Sequence, residues 1–231
     1  MNAIGTYSNS ENAFKGFTNE AKFIFGTIIL TLAIAAICSY TDAGWESAFG
    51  LAVGIYAVIS CYAFFAGDKF LYRLLLFGIL AGSIELFADC WLVQFTGTLV
   101  YPLQEPSIAC SPLYMPFAWA VVLIQVGYLG WLIAGHKPLW FSMVATTVLG
   151  LLFIPLFEHF ANGAGWWYYH NTPMIFDTPY YIIFAEGLIC MTLPIFFKIQ
   201  SHKKYAMAAL FGIAQGFWIW AAYRISFTMI G

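Results

Sequence analysis

Seven apolar runs, each near the ~20 residues that a helix needs to cross a hydrocarbon core, constrain this chain more than anything else in it. They lie at Lys22–Tyr40, Phe49–Gly67, Phe70–Phe95, Pro112–Ala134, Leu139–Ala161, Pro179–Ile199 and Tyr205–Ile230. The runs are continuous rather than alternating, which predicts helices and not barrel strands. A helix satisfies its own backbone hydrogen bonds where no water can. The expected fold is therefore all-α: a polar N-terminal tail over residues 1–21, then one seven-helix polytopic membrane domain over residues 22–231. The tail carries TYSNSEN and no apolar core of a signal peptide, so the first span is expected to act as an uncleaved anchor.

Composition agrees with this and closes off other classes. The chain is 62% hydrophobic and 9% charged, outside the range of soluble domains. Its net charge is −2 with no basic run, which argues against nucleic acid as a partner and leaves the lipid bilayer as the surrounding medium. Five cysteines are scattered with no C-x-x-C pair. Cys38, Cys61, Cys90 and Cys190 fall in apolar stretches and read as free buried thiols. Cys110 falls in a connection, with a bridge to Cys38 left open.

An odd number of spans puts the N-terminus on the same side as the second, fourth and sixth connections. That side carries Lys15, Lys22, Lys69, Arg73, Lys137, Lys198, Lys203 and Lys204, and the other side only Arg224. The positive-inside rule then predicts a cytoplasmic N-terminus and a multi-pass protein of the plasma, inner or endoplasmic-reticulum membrane. The same parity brings Glu85, Asp89, Glu158, His159, Glu186 and Arg224, from four spans, to one depth in the outer leaflet. The two long connections 96–111 and 162–178 lie above them as candidate lids.

Carboxylates at membrane depth are expensive, and function is the default reading of each. Glu85 and Asp89, at i and i+4, share a helix face; two acids that close repel each other, so one is expected to stay neutral near pH 7. Such an acid can protonate an alkene. Glu158 and Glu186 are the candidates to accept the terminal proton or to position water. Tyr101, Trp119, Trp166, Trp167, Tyr169 and Tyr181 would surround a cation with aromatic faces, joined by His159 and Arg224 as substrate-binding candidates. Anchoring at the membrane interface is the alternative for each aromatic, and charge balance for Arg224. A metal site fits poorly, since no H-E-x-x-H or H-x-x-E-H spacing exists and one histidine reaches the acids. No metal and no redox cofactor are expected.

A faint internal repeat runs through the same residues. IELFAD (Ile84–Asp89) matches IPLFEH (Ile154–His159), each followed by a glycine and a tyrosine, Gly97 with Tyr101 and Gly165 with Tyr169. SPLYMPFAW (Ser111–Trp119) then matches TPYYIIFAE (Thr178–Glu186). Helices three–four and five–six would be two copies of one hairpin facing a shared cavity.

Glu85 with Tyr101, Pro112, Pro116 and Trp119, then Glu158 with Gly165, Trp166, Trp167, Tyr169, Pro179 and Glu186, resemble the motifs of integral-membrane carotenoid hydratases of the bisanhydrobacterioruberin-hydratase type and of the small membrane lycopene cyclases. The resemblance covers Ile84–Glu186 and departs from the pattern at His159, where an acid–Asn type pair is expected. Fungal membrane meroterpenoid cyclases, small seven-helix proteins that use acidic residues, are a second likeness. Together these imply acid-initiated cyclisation or hydration of an isoprenoid lipid through a carbocation. Two other readings stand beside it. One is a non-catalytic subunit or small-molecule binder in a homo-oligomer or membrane complex; the other is a proton-coupled transporter, whose relays also use buried acids.

Overall fold

The computed structural model of the chain describes residues 18–200 and 204–231. The expected tail lies outside the described residues up to residue 17, as do Lys15 and Lys203. The described residues form seven long helices: α1 Asn19–Thr41, α2 Trp45–Ala66, α3 Lys69–Cys90, α4 Met115–His136, α5 Leu139–Gly163, α6 Tyr180–Gln200 and α7 Tyr205–Ile230. Each is long and apolar enough to span a membrane, α3 being extended by a π-helical turn at Trp91–Thr96. The protein is thus an all-α, multi-pass bundle. α2 starts at Trp45, four residues before the expected Phe49, because its first turn takes in Glu46, which is exposed at the bundle end.

Local chemistry sets the boundaries. Thr18 caps α1 by accepting the Ala21 N–H, and Asp68 caps α3 by accepting from Phe70 and Leu71 at 2.7 and 3.1 Å. The turn between α2 and α3 needs a left-handed residue, which Gly67 supplies at φ +62°.

α4 is the central helix. It packs against α1, α2, α3, α5 and α6, and the other six close a ring around it in the order α1, α2, α3, α7, α6, α5. Two close approaches define the hairpins. A side chain at Gly82 of α3 would strike the Pro116 backbone of α4, and one at Gly150 of α5 would meet the Glu186 carbonyl of α6 at 2.7 Å. With no hydrophobic drive between helices in lipid, such small-residue contacts carry much of the association.

The long connections share one end of the bundle and carry six two-residue strands: β1 Leu99–Val100, β2 Ser107–Ile108, β3 Ser111–Pro112, β4 Tyr168–Tyr169, β5 Met174–Ile175 and β6 Thr178–Pro179. β2–β3 and β5–β6 are hairpins, one leading into α4 and the other into α6. β1 and β4 join the two connections antiparallel, pairing Leu99 with Tyr169 and Val100 with Tyr168. The repeat is therefore present in the backbone. Gly97 and Gly165 both take positive φ, at +63° and +69°, as do Ala109 and Phe176 at the matching hairpin tips. Val100 and Tyr168 occupy matching places in the two copies and pair with each other. That places a pseudo-two-fold axis through the β1–β4 ladder.

Candidate active site

Beneath that ladder lies a cavity to which all seven helices contribute. Asp89 comes from α3, Trp119 from α4, Glu158 from α5, Glu186 from α6 and Tyr223 from α7. Thr31 of α1 and Ala48, Leu51, Ala52 and Ile55 of α2 make an aliphatic wall. Tyr101, Trp166, Trp167 and Tyr169 roof it. Its volume is about 80 Å³. One water needs ~10–15 Å³, so the space takes several waters or the end of a hydrocarbon chain, not a long chain whole.

Three acids meet the cavity, and each is held by a donor from an aromatic side chain. Tyr101 donates its hydroxyl to Asp89 Oδ2 at 2.7 Å, and Ser111 donates to the same oxygen at 2.6 Å. Trp167 Nε1–H donates to Glu158 Oε2 at 2.5 Å. Tyr223 donates to Glu186 Oε1 at 2.7 Å, while the buried Glu186 Oε2 has no hydrogen-bond partner among the described residues. Glu85 is fully buried behind Asp89, off the cavity wall, and among the described residues neither of its carboxyl oxygens has a hydrogen-bond partner. It faces Asp89, Glu186 and the Trp119 side chain. An oxygen that accepts two hydrogen bonds would stabilise a carboxylate at Asp89, and a buried acid beside it could exchange a proton with it.

The roof is rigidly pinned. Trp166, 1% exposed, donates its indole N–H to Ser47 Oγ at 2.7 Å, and the Gly44 N–H reaches the Ala164 carbonyl at 2.9 Å. Tyr101 stands edge-on to Trp167, and Trp119 edge-on to Tyr223. Outside the spans, burial beside Asp89 and Glu85 holds the Tyr101 hydroxyl well above the usual phenol range, so it stays a donor. Burial and the neighbouring Glu158 do the same for Tyr169.

Three expected substrate contacts stand elsewhere. His159 turns outward, 52% exposed in its side chain, and its Nδ1 lies 2.7 Å from Asp177 Oδ2. Tyr181 is fully buried but shares a hydrogen bond with Thr98 at 2.6 Å, tying α6 to the first connection rather than reaching the cavity. Arg224 is exposed and stacks over Trp91 and Trp220, 5.9 and 5.2 Å from their ring centres. Helical phase separates these residues from the acids at similar depth: Arg224 follows Tyr223 by one position, about 100° round the helix. The cysteine reading also changes. Cys110 is bridged to Cys90, not to Cys38, and Cys61 is exposed.

Ser111 and the α2 wall did not emerge from the sequence. Ser111 had one readable signal, its place at the head of the SPLYMPFAW copy, opposite Thr178 in the other copy. The aliphatic α2 residues have none, since that helix is apolar on every side. Among the described residues no group of three or more His, Cys, Asp or Glu side chains is placed to hold a metal ion.

No curated protein and no solved structure matches the chain. A family model described as a domain of unknown function, DUF6989, matches residues 86–230, more than half of the chain, from the end of α3 to the end of α7. The chain therefore belongs to the DUF6989 family.

Proposed function

We propose that the protein is a membrane enzyme that protonates a carbon–carbon double bond at the end of an isoprenoid lipid and resolves the carbocation by hydration or cyclisation. One observation carries the reading: Asp89, Glu158 and Glu186 converge on a cavity otherwise lined by aliphatic and aromatic groups. The resemblance of Ile84–Glu186 to carotenoid hydratases and membrane lycopene cyclases points the same way.

In this reading Asp89 gives its proton to the less substituted alkene carbon, and the positive charge develops on the neighbouring tertiary carbon. Hydrogen bonds from Tyr101 and Ser111 stabilise the carboxylate that remains. The π faces of Trp119, Trp166, Trp167 and Tyr169 attract the cation, by about 2 kcal/mol each when desolvated. Two resolutions balance. A water adds to the cation and loses a proton to Glu186 or Glu158, giving an alcohol; or a second double bond of the substrate attacks, and the ring sheds a proton to the same acids. Glu85 returns a proton to Asp89 afterwards and recovers one from Glu186, which it faces, so that the proton taken from the cation completes the cycle. Only the end of the substrate fits, so its tail would lie along the aliphatic α2 side or in the bilayer.

Two features support a cytoplasmic N-terminus. Lys22, Lys69, Arg73, Lys137, Lys198 and Lys204 are at the bundle end opposite the long connections, while Arg224 is at the near end. The Cys90–Cys110 bridge also sits at the near end, and disulfides persist in oxidising compartments.

The test is expression in a bacterial host that accumulates acyclic carotenoids, followed by mass spectrometry of the lipid extract. A product heavier by one water identifies hydration; a product of equal mass and shifted retention identifies cyclisation. Asp89→Asn is expected to lower product formation by about 100-fold or more, the usual loss for a general acid. Undiminished product from Asp89→Asn, Glu158→Gln and Glu186→Gln, each tested singly, would sink the mechanism.

A further inference from the structure

The bond from Ser111 to Asp89 is flanked, one residue further on each side, by the Cys90–Cys110 disulfide. Asp89 and Cys90 close α3; Cys110 and Ser111 are the turn and first strand residue of the hairpin that starts α4. The bridge encloses the whole first connection, which also supplies Tyr101, the second donor to the same Asp89 oxygen. Ser111 itself is fully buried. Between the two cysteines the chain makes a π-helical turn, a left-handed Gly97 and only four strand residues, so few backbone bonds fix the connection to α3.

The geometry points to the Cys90–Cys110 bridge as a positioning clamp: it holds the Ser111 hydroxyl on Asp89, making the state of that acid depend on the redox state of the compartment the connection faces. This inference rests on the proposed role of Asp89 but concerns a contact that can be measured without it. Ser111 is a positioning residue, not a catalytic one. In the oxidised protein the Tyr101 and Ser111 hydroxyls both donate to Asp89 and favour its carboxylate over its protonated form. Once the bridge opens, the hairpin can swing away and Ser111 no longer serves Asp89.

Dicyclohexylcarbodiimide reads this directly, because it adds to protonated carboxyl groups in apolar surroundings. The intact protein in detergent is labelled at pH 7 with and without a phosphine reductant, and labelling at each acid is measured by peptide mass spectrometry. The phosphine supplies two electrons, takes its oxygen from water to leave as the oxide, and yields two thiols. Reduction is expected to raise Asp89 labelling about tenfold, the worth of one hydrogen bond to a charged group, with Glu186 labelling unchanged. Ser111→Ala in the oxidised protein should give the same rise, Ser111→Thr should restore the low value, and reduction of Ser111→Ala should add little.

If reduction leaves Asp89 labelling unchanged while Ser111→Ala raises it, the bridge does not place the serine and the inference falls. It falls equally if Asp89 and Glu186 rise together, since the bridge is then a general staple. Absence of any isoprenoid product from the wild-type protein would overturn the proposed reaction instead, and leave the labelling to judge the clamp.

Discussion

The two hairpins, α3–α4 and α5–α6, are built alike and clasped differently. In both, a glycine of positive φ follows the helix end within two residues, a connection crosses the pseudo-two-fold axis as one strand of β1–β4, and a short hairpin whose last strand ends in Pro112 or Pro179 hands the chain to the next helix. Cys110 in the first copy corresponds to Asp177 in the second. Cys110 is bonded covalently to the end of α3, whereas Asp177 bonds His159 near the end of α5 across an exposed surface. The buried donors differ as well. Ser111 reaches the acid Asp89, while its counterpart Thr178 reaches only backbone carbonyls, those of Pro155 and Phe176. A shared scaffold sets where the site lies, and the departures from symmetry decide which acid each half presents. The first half fixes one tightly held acid at the cavity; the second contributes two, Glu158 and Glu186, of which Glu186 keeps a free oxygen.

The strongest way to break the comparison is to open the two clasps in turn. Cys90→Ser with Cys110→Ser removes a cross-link over a sequence separation of 20 and is expected to cost about 3 kcal/mol of stability. His159→Ala removes a bond between side chains 52% and 39% exposed, and is expected to cost no more than about 1 kcal/mol. Thermal unfolding in detergent measures both. Equal losses would show that the covalent clasp has no special standing. The close approaches come next. Gly150→Val drives a branched side chain into the Glu186 carbonyl and Cys190, an overpacking expected to cost about 2 kcal/mol. Because it bears directly on the backbone of Glu186, it should depress product formation more than Gly82→Val, whose clash with Pro116 lies two turns before Asp89 on α3. The ratio of product yield to folded protein separates the two.

Much of this was legible in the sequence. The seven spans follow from length and apolarity, which need no partner to be read. The meeting of Asp89, Glu158 and Glu186 follows from span parity and depth. What depth could not give was azimuth. His159, Tyr181 and Arg224 sit at the right level yet face the outside of the bundle or a neighbouring connection, and helices apolar on all sides leave no pattern from which to read the inward face. The disulfide was hidden for a related reason. Cys90 lies in an apolar run that reads as helix throughout, while the backbone widens into a π-helical turn just after it and lets Cys110 return. Spacing alone does not choose a partner.

The smallest effect concerns Glu105, an asymmetry within the roof that the second copy lacks. It is 8% exposed, sits in the first connection, and neither carboxyl oxygen has a hydrogen-bond partner among the described residues. Burial raises its pKa to about 7, opposed in part by the nearby Tyr114 hydroxyl. Against an ordinary value of 4.5, the folded connection binds the proton more tightly than the open one. The protonated acid therefore holds the connection closed: the contribution is complete below about pH 4.5 and is lost as pH rises through about 7. Amide hydrogen exchange over residues 97–114, corrected for the intrinsic pH dependence, should accelerate as pH rises from about 4.5 to about 7 and level off above it, while residues 164–179 keep a flat profile. Glu105→Gln, which stays neutral, should abolish the step in the first connection. A step of equal size in both connections would place the titrating group at the shared β1–β4 ladder, and Glu105 would lose its role.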